Sequence, residues 1–211
     1  MKLMIAIPTI DYMHFAYVRC LAALIEHLKD RGTDYELAFR GNTMVYMARD
    51  DLARKAIAEG FTHVLWLDAD MIFPETIVED LQRSGKPFVS GVYSARRPPH
   101  RSCVFTSLFP VERPAPDAYP EDVFEIHGCG FGCVLMETEI LKKTGFYTGL
   151  LFLPDGAFGE DLSFCQRARS QGFRIWCDPN VVCGHIGQMA VYPEAQFYQE
   201  CEGTGYLGVY G

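Results

Sequence analysis

No apolar run in this 211-residue chain reaches the roughly 18 residues that a membrane-spanning helix needs. The segment Met1 to Ile10 is interrupted by Pro8 and reads as a first β-strand, not as a signal peptide. Basic charge is also scarce: 19 lysines and arginines stand against 27 acidic residues, giving a net charge of −8. Binding to a phosphate backbone needs a basic footprint, so nucleic acid is excluded as the expected partner. None of the eight cysteines forms a Cys-x-x-Cys pair. A zinc site from Cys177, Cys183 and His185 has a spacing that matches no usual zinc pattern. The thiols read as buried side chains in a reducing compartment, which places the chain in the cytoplasm. Internal repeats and low-complexity tracts are absent too.

What is present is a globular composition, 49% hydrophobic and 22% charged, with enough chain for one domain. Leu3 to Pro8 suits a buried strand. Leu21, Leu24, Ile25 and Leu28 recur at helical spacing before Gly32. Tyr35 to Phe39 reads as a second strand. Val45, Ala48, Leu52 and Ala56 mark a second helix, closed by Gly60. His63 to Leu67 is the strongest strand signal, and it ends in Asp68-Ala69-Asp70. Pro74 opens a third helix carrying Ile77 and Leu81, and Phe88 to Tyr93 is another strand. This alternation predicts an α/β fold with a mostly parallel sheet and helices on both faces. Ligands in such folds gather beyond the C-terminal ends of the strands, where Asp68 to Asp70 lies.

The second half is less regular. Residues 94–122 predict a long loop, with a hairpin near Cys103 to Phe109. An apolar strand follows the glycine-rich Gly128-Cys129-Gly130-Phe131-Gly132, and Thr138 is placed to cap a short helix to Thr144. Leu162, Cys165 and Ala168 mark a helix after Gly159-Glu160-Asp161. Arg174 to Cys177 and Val181 to Cys183 read as short strands. The tail from Pro193 to Gly211 has no period.

Three features carry chemistry. Asp68 and Asp70, at the end of an apolar strand, repel each other unless a partner intervenes. A divalent cation is one such partner, since carboxylate oxygens suit Mg²⁺ or Mn²⁺; a solvated loop with helix-capping aspartates is the other reading. Glu160 and Asp161 at a helix start serve either as caps or, in a partly apolar cleft, as a general base. His185, flanked by Gly184 and Gly187, is either structural or completes the coordination of a cation held by Asp70.

In order and spacing these segments resemble the GT-A nucleotide-sugar glycosyltransferases. Val64 to Met71 resembles their Asp-x-Asp segment, and Phe158 to Ala168 their Glu-Asp helix. Gly172 to Trp176, followed by His185, is similar to their next strand and metal-binding histidine. Ile7-Pro8-Thr9 resembles the opening nucleotide-binding loop. Ala48-Arg49-Asp50-Asp51-Leu52 resembles an Ala-Arg-Asn-x-Leu segment, with Asp50 in place of asparagine. The resemblance implies a single Rossmann-like GT-A domain over 1–211. Residues 1–93 would be the nucleotide half, 94–187 the irregular sugar and acceptor half, and 188–211 a tail. It implies that Asp70 and His185 bind Mn²⁺ or Mg²⁺, with Asp68 on the metal or the ribose. Pro8 and Thr9 would line the nucleoside pocket, Arg49 would support the diphosphate, and Gly130 would sit in the wall around the sugar.

The implied reaction is transfer from a nucleoside diphosphate sugar to a glycan, lipid-linked or protein acceptor. It would proceed with inversion, with Asp161 as the base and Glu160 as the alternative. The family often has an acid after its second strand to hold the nucleobase. Here Arg40-Gly41-Asn42-Thr43 stands there, so the base is not specified. Two other classes remain open at this point: a metal-dependent phosphohydrolase using Asp68, and a non-catalytic domain that binds a sugar nucleotide or glycan. Arg96, Arg97, His100 and Arg101 form a basic cluster, either a lid over phosphates, an acceptor contact or a solvated loop.

Overall fold

The computed structural model describes residues 1–10, 12–115, 118–145, 149–187 and 190–191. In chain order the elements are β1 (Lys2–Pro8), α1 (Phe15–Asp30), β2 (Asp34–Arg40), α2 (Val45–Ala58), β3 (His63–Leu67), β4 (Met71–Ile72), α3 (Ile77–Arg83) and β5 (Phe88–Val92). There follow β6 (Val104–Phe105), β7 (Ser107–Leu108), β8 (Val111–Glu112), β9 (Phe124–Ile126), β10 (Gly128–Cys129), β11 (Cys133–Glu137), α4 (Thr138–Thr144), α5 (Glu160–Ser170), β12 (Ile175–Val182), β13 (Gly184–Ile186) and β14 (Ala190–Val191).

The central sheet has seven strands in the order β2-β1-β3-β11-β5-β12-β9. Its strands are apolar on both faces because both faces are covered. Met4, Ala6, Val64 and Trp66 point into one core with α2, α4 and α5; Leu3, Ile5, Ile7, Leu65 and Leu67 point into the other with α1 and α3. Helices on both faces are therefore as expected. The direction of the strands is more mixed than the alternation predicts. β1, β2, β3, β5 and β12 run one way, while β11 runs against β3 and β5, and β9 against β12. β11 comes from the irregular half and inserts between two strands of the regular half.

Other local expectations change for physical reasons. The predicted loop after β5 is partly ordered: β7 and β8 form a hairpin turning at Phe109-Pro110, and β6 pairs with β10 instead of joining it. Thr138 does not cap α4. It is the first helical residue, Glu137 holds the cap position, and the Thr138 hydroxyl is buried. The two short strands around Asp178 are one strand, β12, with a pairing irregularity between Cys177 and Val182. The seven described cysteines are free thiols. Cys177 and Cys183 lie in opposite cores, which separates two of the three groups weighed for zinc. The tail from Pro193, including Cys201, lies outside the described residues. Among the described residues no helix is long and apolar enough to cross a membrane.

Candidate functional site

β3 delivers Asp68 to the C-terminal edge of the sheet. A turn follows, closed by Met71 N–H donating to the Asp68 carbonyl at 3.2 Å. β4 then pairs antiparallel with β13, with Met71 opposite His185, and Ile186 N–H donates to the Asp70 carbonyl at 2.7 Å. This backbone ribbon brings together two motifs more than a hundred residues apart in sequence. His185 Nε2 stands 3.5 Å from Asp70 Oδ2. Its other nitrogen, Nδ1, lies 2.9 Å from the Ser94 carbonyl, which can only accept, so Nδ1 carries a proton. Burial lowers the proton affinity of His185, but Asp70 and the Ser94 carbonyl outweigh it and leave it raised. Burial pushes the Asp70 carboxyl up, yet His185 and Arg96 together hold it below its ordinary value. Arg96 Nη1 is bonded to Asp70 Oδ2.

The second acid pair is joined to the first by Arg49. α2 carries this side chain on its buried face, only 3% exposed. Its Nη2 donates to Asp68 Oδ1 at 2.8 Å and its Nε to Glu160 Oε1 at 3.4 Å. Its guanidinium lies over the Phe131 ring, 5.5 Å from the centroid. Burial opposes its charge, but Asp68, Glu160 and Asp161 more than compensate. Next in α5, Asp161 accepts a bond from Leu162 N–H at 2.7 Å. Burial, then the neighbouring Glu160, push its carboxyl up to about 6 despite Arg49. A carboxylate raised toward neutrality is suited to proton transfer. Asp50, the residue in place of asparagine, is a buried structural acid: it accepts from Arg54 Nε at 2.6 Å and from Leu151 N–H.

The glycines between β10 and β11 are required by a tyrosine. A Cβ on Gly130 would stand 2.3 Å from the Tyr93 hydroxyl oxygen and 3.5 Å from Asp161 Oδ2. Gly132 N–H donates to that same hydroxyl at 2.9 Å, while its carbonyl accepts from Asp68 N–H at 3.2 Å. Tyr93 also packs edge-on against His185. Gly130 thus borders the acid cluster. Pro8 ends β1; β1 and β3 run parallel with Ala6 beside Trp66, so Pro8 leaves the sheet at the level of Asp68. Thr9 follows, its N–H held by the Arg40 carbonyl at 3.0 Å.

The structure therefore gathers Arg49, Asp68, Asp70, Gly130, Glu160, Asp161 and His185 at one sheet edge, with Pro8 and Thr9 along it. Sequence reasoning missed Tyr93, the Ser94 carbonyl and Phe131. The glycines at 130 and 132 were the available sign that a bulky group must press on them. Four carboxylates here face two guanidinium groups, a net excess of two negative charges. Among the described residues no three His, Cys, Asp or Glu side chains form a complete metal cage. Asp68 Oδ1 accepts from Arg49 and Asp70 Oδ2 from Arg96, and Asp70 and His185, with Asp68 beside them, are the candidate ligands. A carboxylate oxygen suits Mn²⁺ or Mg²⁺, which keep coordination positions open for phosphate oxygens, and the imidazole nitrogen favours the transition metal of the two.

No protein-family model matches the chain, and no curated protein sequence matches it. Solved structures do. A197 from STIV aligns over 92% of this chain and 91% of its own, with a TM-score of 0.57 and 20% identity. The catalytic domain of Drosophila beta1,4galactosyltransferase 7, solved with xylobiose, aligns over 92% of this chain and 71% of its own, with a TM-score of 0.50 and 12% identity. At these identities the likeness concerns the fold alone, a mixed α/β fold consistent with the GT-A-like one and shared with a galactosyltransferase catalytic domain.

Proposed function

We propose that this protein is a glycosyltransferase, moving a sugar from a nucleoside diphosphate sugar to an acceptor hydroxyl with inversion and in dependence on Mn²⁺ or Mg²⁺. The observation that carries the reading is the convergence of Asp68 and Asp70, Glu160 and Asp161, and His185 from three distant segments at the ligand edge of a glycosyltransferase-like sheet. Asp70 and His185 would hold the cation, which when bound supplies neutralising charge for the leaving diphosphate.

The chain's own groups do the rest. Asp161 takes the proton from the acceptor hydroxyl, sharpening the attacking oxygen. Burial and Glu160 give it the proton affinity for that task. Arg49 fixes the directions of Asp68 and Glu160 through one rigid fork. Gly130 borders Asp161 in the wall around the sugar, its missing side chain making room for the Tyr93 hydroxyl. Pro8 and Thr9 line the nucleoside end. An aspartyl-phosphate mechanism is less well supported, because it needs Asp68 as a free nucleophile and Arg49 holds its Oδ1.

Asp70→Asn should abolish the stabilisation of the protein by Mn²⁺ with a nucleoside diphosphate, read as a lost shift in melting temperature. Asp161→Asn should keep that shift and lower transfer by about 10²- to 10⁴-fold. Normal transfer by both variants would overturn the assignment. A screen of nucleoside diphosphates in the same assay identifies the base.

A further inference from the structure

Arg96 occupies the oxygen that a cation would need. Asp70 Oδ2 is the carboxylate oxygen that faces His185 Nε2, and the same atom accepts from Arg96 Nη1. A divalent ion held by Asp70 and His185 would stand against that guanidinium, and the two positive charges repel at so short a separation. The guanidinium cannot go far. Arg96 sits on a closed hairpin whose ends are tied by a bridge between Ser94 and Ser102. Ala95 N–H donates to the Arg101 carbonyl at 2.8 Å, and Cys103 N–H to the Tyr93 carbonyl at 3.0 Å. Only the side chain of Arg96 is free to swing, and it is half exposed. Its arc therefore stays around the Asp70 position, where a diphosphate on the cation would lie. Arg49, the other guanidinium of the site, gives Nη2 to Asp68 and Nε to Glu160, while its buried Nη1 has no hydrogen-bond partner.

We infer that Arg96 is a donor-binding residue that exchanges partners. It holds Asp70 in the empty site and pairs with the diphosphate once cation and donor arrive. This rests on the metal-dependent reading above. A guanidinium suits both partners, because its planar fork matches carboxylate and phosphate alike. The exchange has a consequence with two signs. Arg96 competes with the bare ion but favours the ion–diphosphate complex.

Calorimetry on the whole chain separates the two effects, with Mn²⁺ alone and then the preformed manganese–pyrophosphate complex as probes. Arg96→Gln should bind Mn²⁺ alone about fivefold more tightly than the parent, the scale of a partly exposed ion pair. It should bind manganese–pyrophosphate several-fold more weakly. Both differences should shrink at high salt. Arg97→Gln, which removes a charge from the same hairpin, controls for the general field. Equal Mn²⁺ affinity in the parent and Arg96→Gln, or an equal gain in Arg97→Gln, would overturn the exchange while leaving the metal site standing. If Asp70→Asn binds Mn²⁺ as the parent does, or if no variant binds it at all, the metal site itself is lost and the exchange with it.

Discussion

At the scale of single residues, Asp161 is held in a state that the fold does not favour. Its native proton affinity is raised to about 6, whereas an unfolded aspartate titrates near its ordinary value. Between about pH 4 and pH 6 the native state therefore binds more protons than the unfolded state, and stability falls as pH rises through that window. The loss persists at neutral pH. Asp161→Asn should accordingly stabilise the metal-free protein at pH 7.5, by on the order of 2 kcal/mol or several degrees in melting temperature. The asparagine oxygen can still accept from Leu162 N–H, so that bond survives. The advantage over the parent should vanish only below about pH 3, under the unfolded-state value, where the parent carboxyl is protonated in both states. A variant no more stable at pH 7.5 than the parent would contradict the burial argument. Stability given up at one carboxyl is what a site poised for proton transfer requires.

At the scale of elements, the segment joining β10 to β11 is shaped by Tyr93. Gly130→Ala places a methyl group against the Tyr93 hydroxyl and should destabilise by about 1–3 kcal/mol through overpacking. In the background of Tyr93→Phe, where the hydroxyl is gone, the same change should cost less, and a double-mutant cycle in urea measures the coupling. An additive cycle would mean that the clash is relieved elsewhere. Such long-range pressure explains what could be read from the sequence and what could not. The strand His63 to Leu67 was legible to the residue, because a run buried on both faces and ending in charge has few alternatives. The helices around Leu24, Leu52 and Cys165 were legible from their apolar spacing. Residues 175–182 read as two strands, since Asp178 and Pro179 look like a break locally. Pairing of both ends, Trp176–Cys177 and Val182, with the same neighbour β5 makes them one. The place of β11 was not legible, because strand direction depends on which gap in the sheet is open, not on the strand's own residues. The acids and His185 were legible as chemistry, but the Arg96 contact was not: nothing in its neighbours in sequence says that the hairpin folds back onto Asp70.

For the molecule as a whole, Arg49 joins regions 111 positions apart, from α2 to the start of α5. Its removal leaves Asp68, Glu160 and Asp161 facing one another with no buried counter-charge. Arg49→Ala should therefore cost about 3–5 kcal/mol, the usual penalty for breaking a buried pair from one side. It should lower the urea midpoint without changing the slope, as expected if the compactness of both states is kept. Arg49→Lys should recover only part of this, because an ammonium cannot reproduce the fork. An unchanged midpoint in Arg49→Ala would show that the acids find other partners.

The antiparallel strand β11 also has a bearing on how the chain is made. β3 and β5 leave the ribosome well before Cys133 to Glu137, and until then β5, whose sheet partners are β11 and β12, has no strand to pair with. About 45 residues separate the end of β5 from the end of β11, a wait of a few seconds at about 5–20 residues per second. During that interval one edge of β3 and both edges of β5 lack a partner, and the arrival of one short segment ties the two strands into a single sheet.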